Sequence, residues 1–151
     1  MPGSQRALSR TQSTRPSAWV TVFGSAGLRD RDKRRLMAEV SAQLADLTVL
    51  TAEDPRTESL DGILAAMAEA AQAAGGVEGE TFWRVPDRGA ALAFACSLAR
   101  AGDVLIACGK GHEQSMCFGM VEYPWDDREA LRAALRGEPL TTLPTAGAVL
   151  E

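Results

Sequence analysis

An α/β fold with a mostly parallel sheet is what this sequence predicts. Short β-branched or apolar runs alternate with stretches whose apolar residues recur at helical spacing. That alternation builds βαβ units with right-handed crossovers. The helical stretches open on capping residues, and three of the apolar runs end in loops rich in charge, two of them also in glycine.

Trp19 to Phe23 reads as the first strand, stopped by Gly24. From Asp32 to Leu47 the apolar residues Leu36, Val40, Leu44 and Leu47 share one helix face. Thr48 to Thr51 is short and β-prone, a second strand. Ser59 caps the next helix, with Leu60, Ile63, Leu64 and Met67 at i, i+3, i+4 and i+7. The Ala- and Gly-rich stretch from Ala68 to Gly79 is expected to fray into a loop. Thr81 to Val85 forms a third strand. Asp87 opens a helix carrying Ala91, Phe94, Ala95 and Leu98, and Gly102 ends it. Asp103 to Cys108 is the fourth strand. Ser115 to Tyr123 has no clear period, and a strand at the far edge of the sheet is the expectation. Asp126 or Asp127 caps a last helix through Leu135. The chain thus divides into an arm or linker remnant over residues 1–17, an ordered domain over 18–137 and a loose tail over 138–151, with no internal repeat.

Composition narrows the function. The net charge of −4 argues against a general nucleic-acid binder. Charge is uneven, however: Leu28 to Arg35 holds five basic residues against two acids. A basic cluster on an acidic protein suits a small anionic ligand better than a polymer, although a solvated helix start gives the same pattern. Cys96, Cys108 and Cys117 have no C-x-x-C spacing, and the single histidine, His112, does not complete a four-ligand zinc set. Reduced thiols in a cytoplasmic protein are the expectation. No apolar run approaches the ~18 residues of a membrane span, and residues 1–17 lack the apolar core of a secretory signal.

In parallel sheets, ligands sit at the carboxyl ends of the strands. Three charged segments obey that rule: Gly24 to Arg31, Glu53 to Arg56, and Gly109 to Glu113. Gly109-Lys110-Gly111 is not a phosphate loop, because His112 stands where the Walker pattern needs Lys and then Ser or Thr. Gly24-Ser25-Ala26-Gly27 lacks the dinucleotide spacing. Arg56 follows a strand and a proline, so its guanidinium fork is placed for bidentate capture of a carboxylate. Glu113 can receive an ammonium group. Together they suit an amino acid; a structural ion pair between loops is the plainer alternative.

In order and spacing, Gly24-Ser25-Ala26-Gly27-Leu28-Arg29-Asp30, Glu53-Asp54-Pro55-Arg56, Gly109-Lys110-Gly111-His112-Glu113 and Asp126-Asp127-Arg128-Glu129 resemble the C-terminal domain of the Mur ligases. The resemblance is strongest to the branch that adds the third residue of the peptidoglycan stem peptide, and it covers roughly Val20 to Arg136. It implies a Rossmann-like three-layer sandwich. It implies that Arg29, Glu53, Asp54, Pro55, Arg56, Gly109 and Glu113 hold the incoming diamino acid, with Arg56 on the distal carboxylate that meso-diaminopimelate has and lysine lacks. Asp30, Lys33, Arg34, Lys110 and His112 would support the loops or contact nucleotide. One departure stands out: the family's Asp-Asn is Glu53-Asp54 here. ATP and Mg2+ would be bound mainly by a central domain whose phosphate loop this sequence does not contain, so no catalytic residue and no metal ligand is expected in it. The implied partners are that amino acid and the central and N-terminal ligase domains, with neither nucleic acid nor membrane. A separate amino-acid-binding or regulatory module, and an amide ligase of the cyanophycin or polyglutamate type, are the competing readings.

Overall fold

A computed structural model describes residues 16–147. The expected arm lies outside the described residues up to position 15, as does the tail from 148 on. Ten elements follow in order: β1 (Trp19–Phe23), α1 (Arg31–Leu44), β2 (Leu47–Leu50), α2 (Leu60–Ala73), β3 (Phe82–Arg84), α3 (Arg88–Leu98), β4 (Val104–Ala107), β5 (Ser115–Phe118), β6 (Val121–Pro124) and α4 (Asp127–Leu135). The four-stranded sheet has the order β3-β2-β1-β4, and all its pairs are parallel. The α/β expectation and the three-layer arrangement both hold.

Alternation within the strands divides the core. Val20, Val22 and Val49 face α3 and α4, where they meet Ala91, Leu92, Ala95, Ala130 and Trp125. Phe23 and Leu50 face α1 and α2, with Ala38, Ile63, Leu64 and Met67. The α1 face also carries a hydroxyl cluster. Thr21 Oγ1 lies 2.7 Å from Ser41 Oγ, and Ser41 Oγ lies 2.6 Å from Thr48 Oγ1. Each buried hydroxyl therefore has a partner, which removes the cost of burying it. Beyond α1 the β4 side of this face is open: Trp19, Leu36, Met37, Val40, Leu44 and Ile106 line an apolar groove of about 600 Å³.

Caps fall where the sequence places them. Ser59 Oγ accepts from Gly62 N, Asp87 Oδ2 from Ala90 N, and Asp126 Oδ1 from Arg128 N. Three expectations are corrected. The alanine run does not fray at Ala68; α2 continues to Ala73, because Ala68, Ala70 and Ala71 are good helix formers with a buried face. Ser115 to Tyr123 is no edge strand of the main sheet but an antiparallel hairpin of its own, turning at Gly119 (φ +62) and Met120. The described part of the tail is not loose: Leu143 is buried in the core and Thr145 Oγ1 donates to Asp87 Oδ1 at 2.7 Å.

Burial predicts the response to truncation. Leu92 is fully buried while Leu44 is 76% exposed. Leu92→Ala is expected to cost about 2–5 kcal/mol, and Leu44→Ala to stay within about 0.5 kcal/mol. Urea unfolding of both variants checks this; equal midpoints would contradict the division.

Candidate functional site

The strand order reverses at β1, with β2 on one side and β4 on the other. At such a switch point the loops leaving adjacent strands separate and open a crevice. Here the loops after β1, β2 and β4 meet. Gly27 N donates to Asp54 O at 2.7 Å. A Cβ on Gly27 would collide with the Pro55 carbonyl, and one on Gly24 with the Thr51 carbonyl. Glycine is thus needed in this loop for close backbone approach. From the other side, Gly109 lies against the Glu53 carboxylate, 3.4 Å from where its Cβ would stand. Gly109 also has φ +102.

Several of the expected residues are spent inside this junction. Lys110 is fully buried, and its ammonium reaches Asp54 Oδ1 at 2.8 Å and Glu113 Oε2 at 3.0 Å. Its ammonium is thereby committed to holding the loops together. Asp54 Oδ1 also accepts from Cys117 N at 2.8 Å, so Asp54 ties its loop to β5. Arg34 is buried, donates twice to the Glu58 carboxylate, and reaches the Ala26 carbonyl. Glu58 in turn accepts from Leu28 N. Its carboxyl is held below the ordinary range by the Arg34 hydrogen bonds, with Leu28 N adding to them. Asp30 caps α1, accepting from Asp32 N and Lys33 N.

The remaining residues are available. Arg56 has φ +55, in the left-handed region, and its backbone is fixed on both sides: Arg56 N donates to Cys117 O at 3.1 Å and Gly119 N donates to Arg56 O at 2.7 Å. Its guanidinium makes no hydrogen bond or ion pair among the described residues, nor does that of exposed Arg29. The side chains of exposed Lys33 and His112 are likewise without hydrogen-bond or ion-pair partners among them. The Glu53 carboxyl is raised above the usual range, burial outweighing the opposing pull of Lys110. Glu113 is exposed and has one oxygen committed to Lys110. The three loops therefore present two unpaired guanidiniums and two carboxylates able to receive cations.

Sequence reasoning missed Arg88. It is fully buried beneath the junction. Nε and Nη2 donate to the two Asp127 oxygens at 2.8 and 2.7 Å, Nη1 to Ala52 O at 3.0 Å and Nη2 to Cys108 O at 2.9 Å. Trp125 Nε1 donates to Asp127 Oδ1 at 2.7 Å. Burial pushes the Asp127 carboxyl up, but Arg88 and Trp125 outweigh it and hold the group below its ordinary value.

A family model for the Mur ligase, glutamate ligase domain, matches residues 2–111. A UDP-N-acetylmuramyl-tripeptide synthetase of Roseiflexus sp. (strain RS-1) is 45% identical over 116 residues, covering 77% of this chain and 23% of that protein. A UDP-N-acetylmuramoyl-L-alanyl-D-glutamate–2,6-diaminopimelate ligase of Geobacter metallireducens is 36% identical over 128 residues, covering 78% of this chain and 25% of that one. A solved structure of a ligase with the latter name superposes with a TM-score of 0.69 at 34% identity, over 80% of this chain and 24% of that chain. The chain thus spans about a quarter of the length of the curated relatives it matches.

Two pH effects follow, of opposite sign. Asp127 has a lowered pKa, so its contribution is present above the ordinary carboxylate value of 3.8 and is lost as pH falls through the folded value. Asp127→Asn should cost about 3–5 kcal/mol near neutrality, because Arg88 loses its counter-charge, and the gap to wild type should narrow in acid. Glu53 has a raised pKa, so its charge costs stability as pH rises through that value. Glu53→Gln should therefore stabilise at neutral pH and not in acid. Denaturation series across pH check both signs.

Proposed function

Because the chain belongs to the Mur ligase family, whose glutamate ligase domain matches residues 2–111, we propose that it is the amino-acid-binding domain of a ligase adding a meso-diaminopimelate-type residue to UDP-MurNAc-L-Ala-D-Glu. One observation carries this reading. The Arg56 guanidinium has no protein partner among the described residues, while its backbone is pinned to β5 and the β5–β6 turn in a left-handed conformation. An unpaired cation that springs from a fixed point of the backbone is arranged for an anion from outside. In this reading Arg56 takes the distal carboxylate, Arg29 the other, and Glu53 and Glu113 the ammonium groups. Gly109 and Pro55 let the loop backbones approach. Asp54 orients the loop through Lys110 and Cys117 N, which accounts for an acid where the family has Asn. Two relatives carry a name that specifies only a tripeptide synthetase, while others are named for diaminopimelate; Arg56 favours the latter substrate.

The residues present do not fit a triphosphate with its Mg2+. Lys110, the lysine of the glycine loop, has its ammonium on Asp54 and Glu113. We place ATP on the central domain of the full ligase, with Lys33 at the first turn of α1 and His112 of the β4 loop as supporting contacts. Amine and activated carboxylate would then be brought together by closure of this domain on its neighbours, a positioning effect. Among the described residues no helix is long and apolar enough to cross a membrane, and we place the reaction in the cytoplasm.

Two outcomes are expected. The purified chain shows no ATP-dependent ligation by itself. In calorimetry it prefers meso-diaminopimelate over lysine, and Arg56→Ala lowers affinity for the former by about ten- to hundredfold, the worth of a charge-assisted pair, while changing lysine binding little. Equal binding of the two amino acids by the wild-type chain would sink the assignment of Arg56.

A further inference from the structure

We propose that Arg88, acting with Asp127 and Trp125, is the positioning residue that sets the two halves of the amino-acid site against each other. This rests on the reading that the loops after β2 and β4 hold a diamino acid. Arg88 touches neither Glu53, Arg56, Gly109 nor Glu113 through a hydrogen bond. It acts one residue upstream. Ala52 O immediately precedes Glu53, and Cys108 O immediately precedes Gly109; both accept from the one guanidinium, at 3.0 and 2.9 Å. β2 and β4 are not neighbours, since β1 lies between them. The planar fork of Arg88 therefore fixes the points where two non-adjacent strands release their loops.

A third segment joins through Asp127. Its carboxylate takes the rest of the fork and the Trp125 indole N–H. Trp125 N donates to Gln114 O at 3.0 Å, tying down the end of the β4 loop. Trp125 follows β6, and its hairpin partner β5 holds Arg56 through Cys117 O. Four of the five guanidinium N–H groups are thus used, on three separate segments. A buried ion pair is a poor device for stability alone, since well-packed apolar residues often serve as well. No apolar residue donates a hydrogen bond, and a lysine, whose three N–H groups leave one rotating nitrogen, cannot supply four bonds spread across a rigid planar fork.

The test compares wild type, Arg88→Lys and Trp125→Phe, all in the full chain. Three quantities are measured: amide hydrogen exchange of Glu53, Asp54, Arg56 and residues 109–113 against that of Val20 to Val22, affinity for meso-diaminopimelate, and the ratio of that affinity to the one for lysine. Faster exchange in the two loops with the β1 amides still protected is expected for both variants. Arg88→Lys should lose about ten- to hundredfold in affinity and Trp125→Phe less, each with a lower meso-diaminopimelate-to-lysine ratio. Simple destabilisation would reduce both affinities in proportion and leave the ratio unchanged. Loop exchange and ratio both at wild-type values in a folded variant would overturn the proposal. If Arg88→Lys fails to fold, Trp125→Phe decides. If the wild-type chain binds no diamino acid, the substrate reading fails, and the exchange data alone judge the positioning role.

Discussion

Where a parallel sheet ends, the last carbonyls of each strand point into the crevice with no strand left to receive them. Buried carbonyls need partners. In this chain the carbonyls of Ala52 and Cys108 find theirs in Arg88, whose charge is balanced by Asp127. The arrangement of the loops above depends on that solution. A second buried cation, Lys110, repeats the principle one layer further out, between Asp54 and Glu113. The positive charges of the region divide into two kinds. Arg34, Arg88 and Lys110 are buried and their charges are paired with protein carboxylates; exposed Arg29 and half-buried Arg56 have side chains unpaired among the described residues.

That division explains why the overall charge of −4 says little about the ligand. The basic run from Arg29 to Arg35 is not one patch. Arg34 turns inward to Glu58, Arg35 pairs with Glu39 one helical turn on, and Arg29 stays in the loop. A helix of period 3.6 distributes consecutive charges around its axis, so a cluster in sequence is divided among different partners in space.

Much of the architecture was legible because period and caps agree locally. The four strands of the main sheet, three of the four helix starts and the convergence of three loops follow from apolar spacing and from Ser59, Asp87 and Asp126. The hairpin was missed because Ser115 to Tyr123 has no clear period. Its signal was the Gly119-Met120 pair between two short β-prone runs, a two-residue turn with glycine first. Arg88 was missed because an Asp-Arg pair at a helix start reads as a cap beside a solvated charge. Yet Arg88, Ala91, Leu92 and Ala95 sit at i, i+3, i+4 and i+7, the buried face of α3. An arginine in phase with a buried stripe is the readable sign of an internal cation. The inward turn of Lys110 left no such sign, because a loop has no period.

Arg56 keeps a left-handed backbone without being glycine, at a cost of about 1–2 kcal/mol for an ordinary side chain. Directed evolution for heat tolerance will therefore meet this position early. Glycine or asparagine there relaxes the backbone, and a screen that scores only survival of the fold will reward the exchange. The hardened variants it yields would be those that have discarded the unpaired guanidinium. Selection for robustness and selection for recognition pull this single codon in opposite directions.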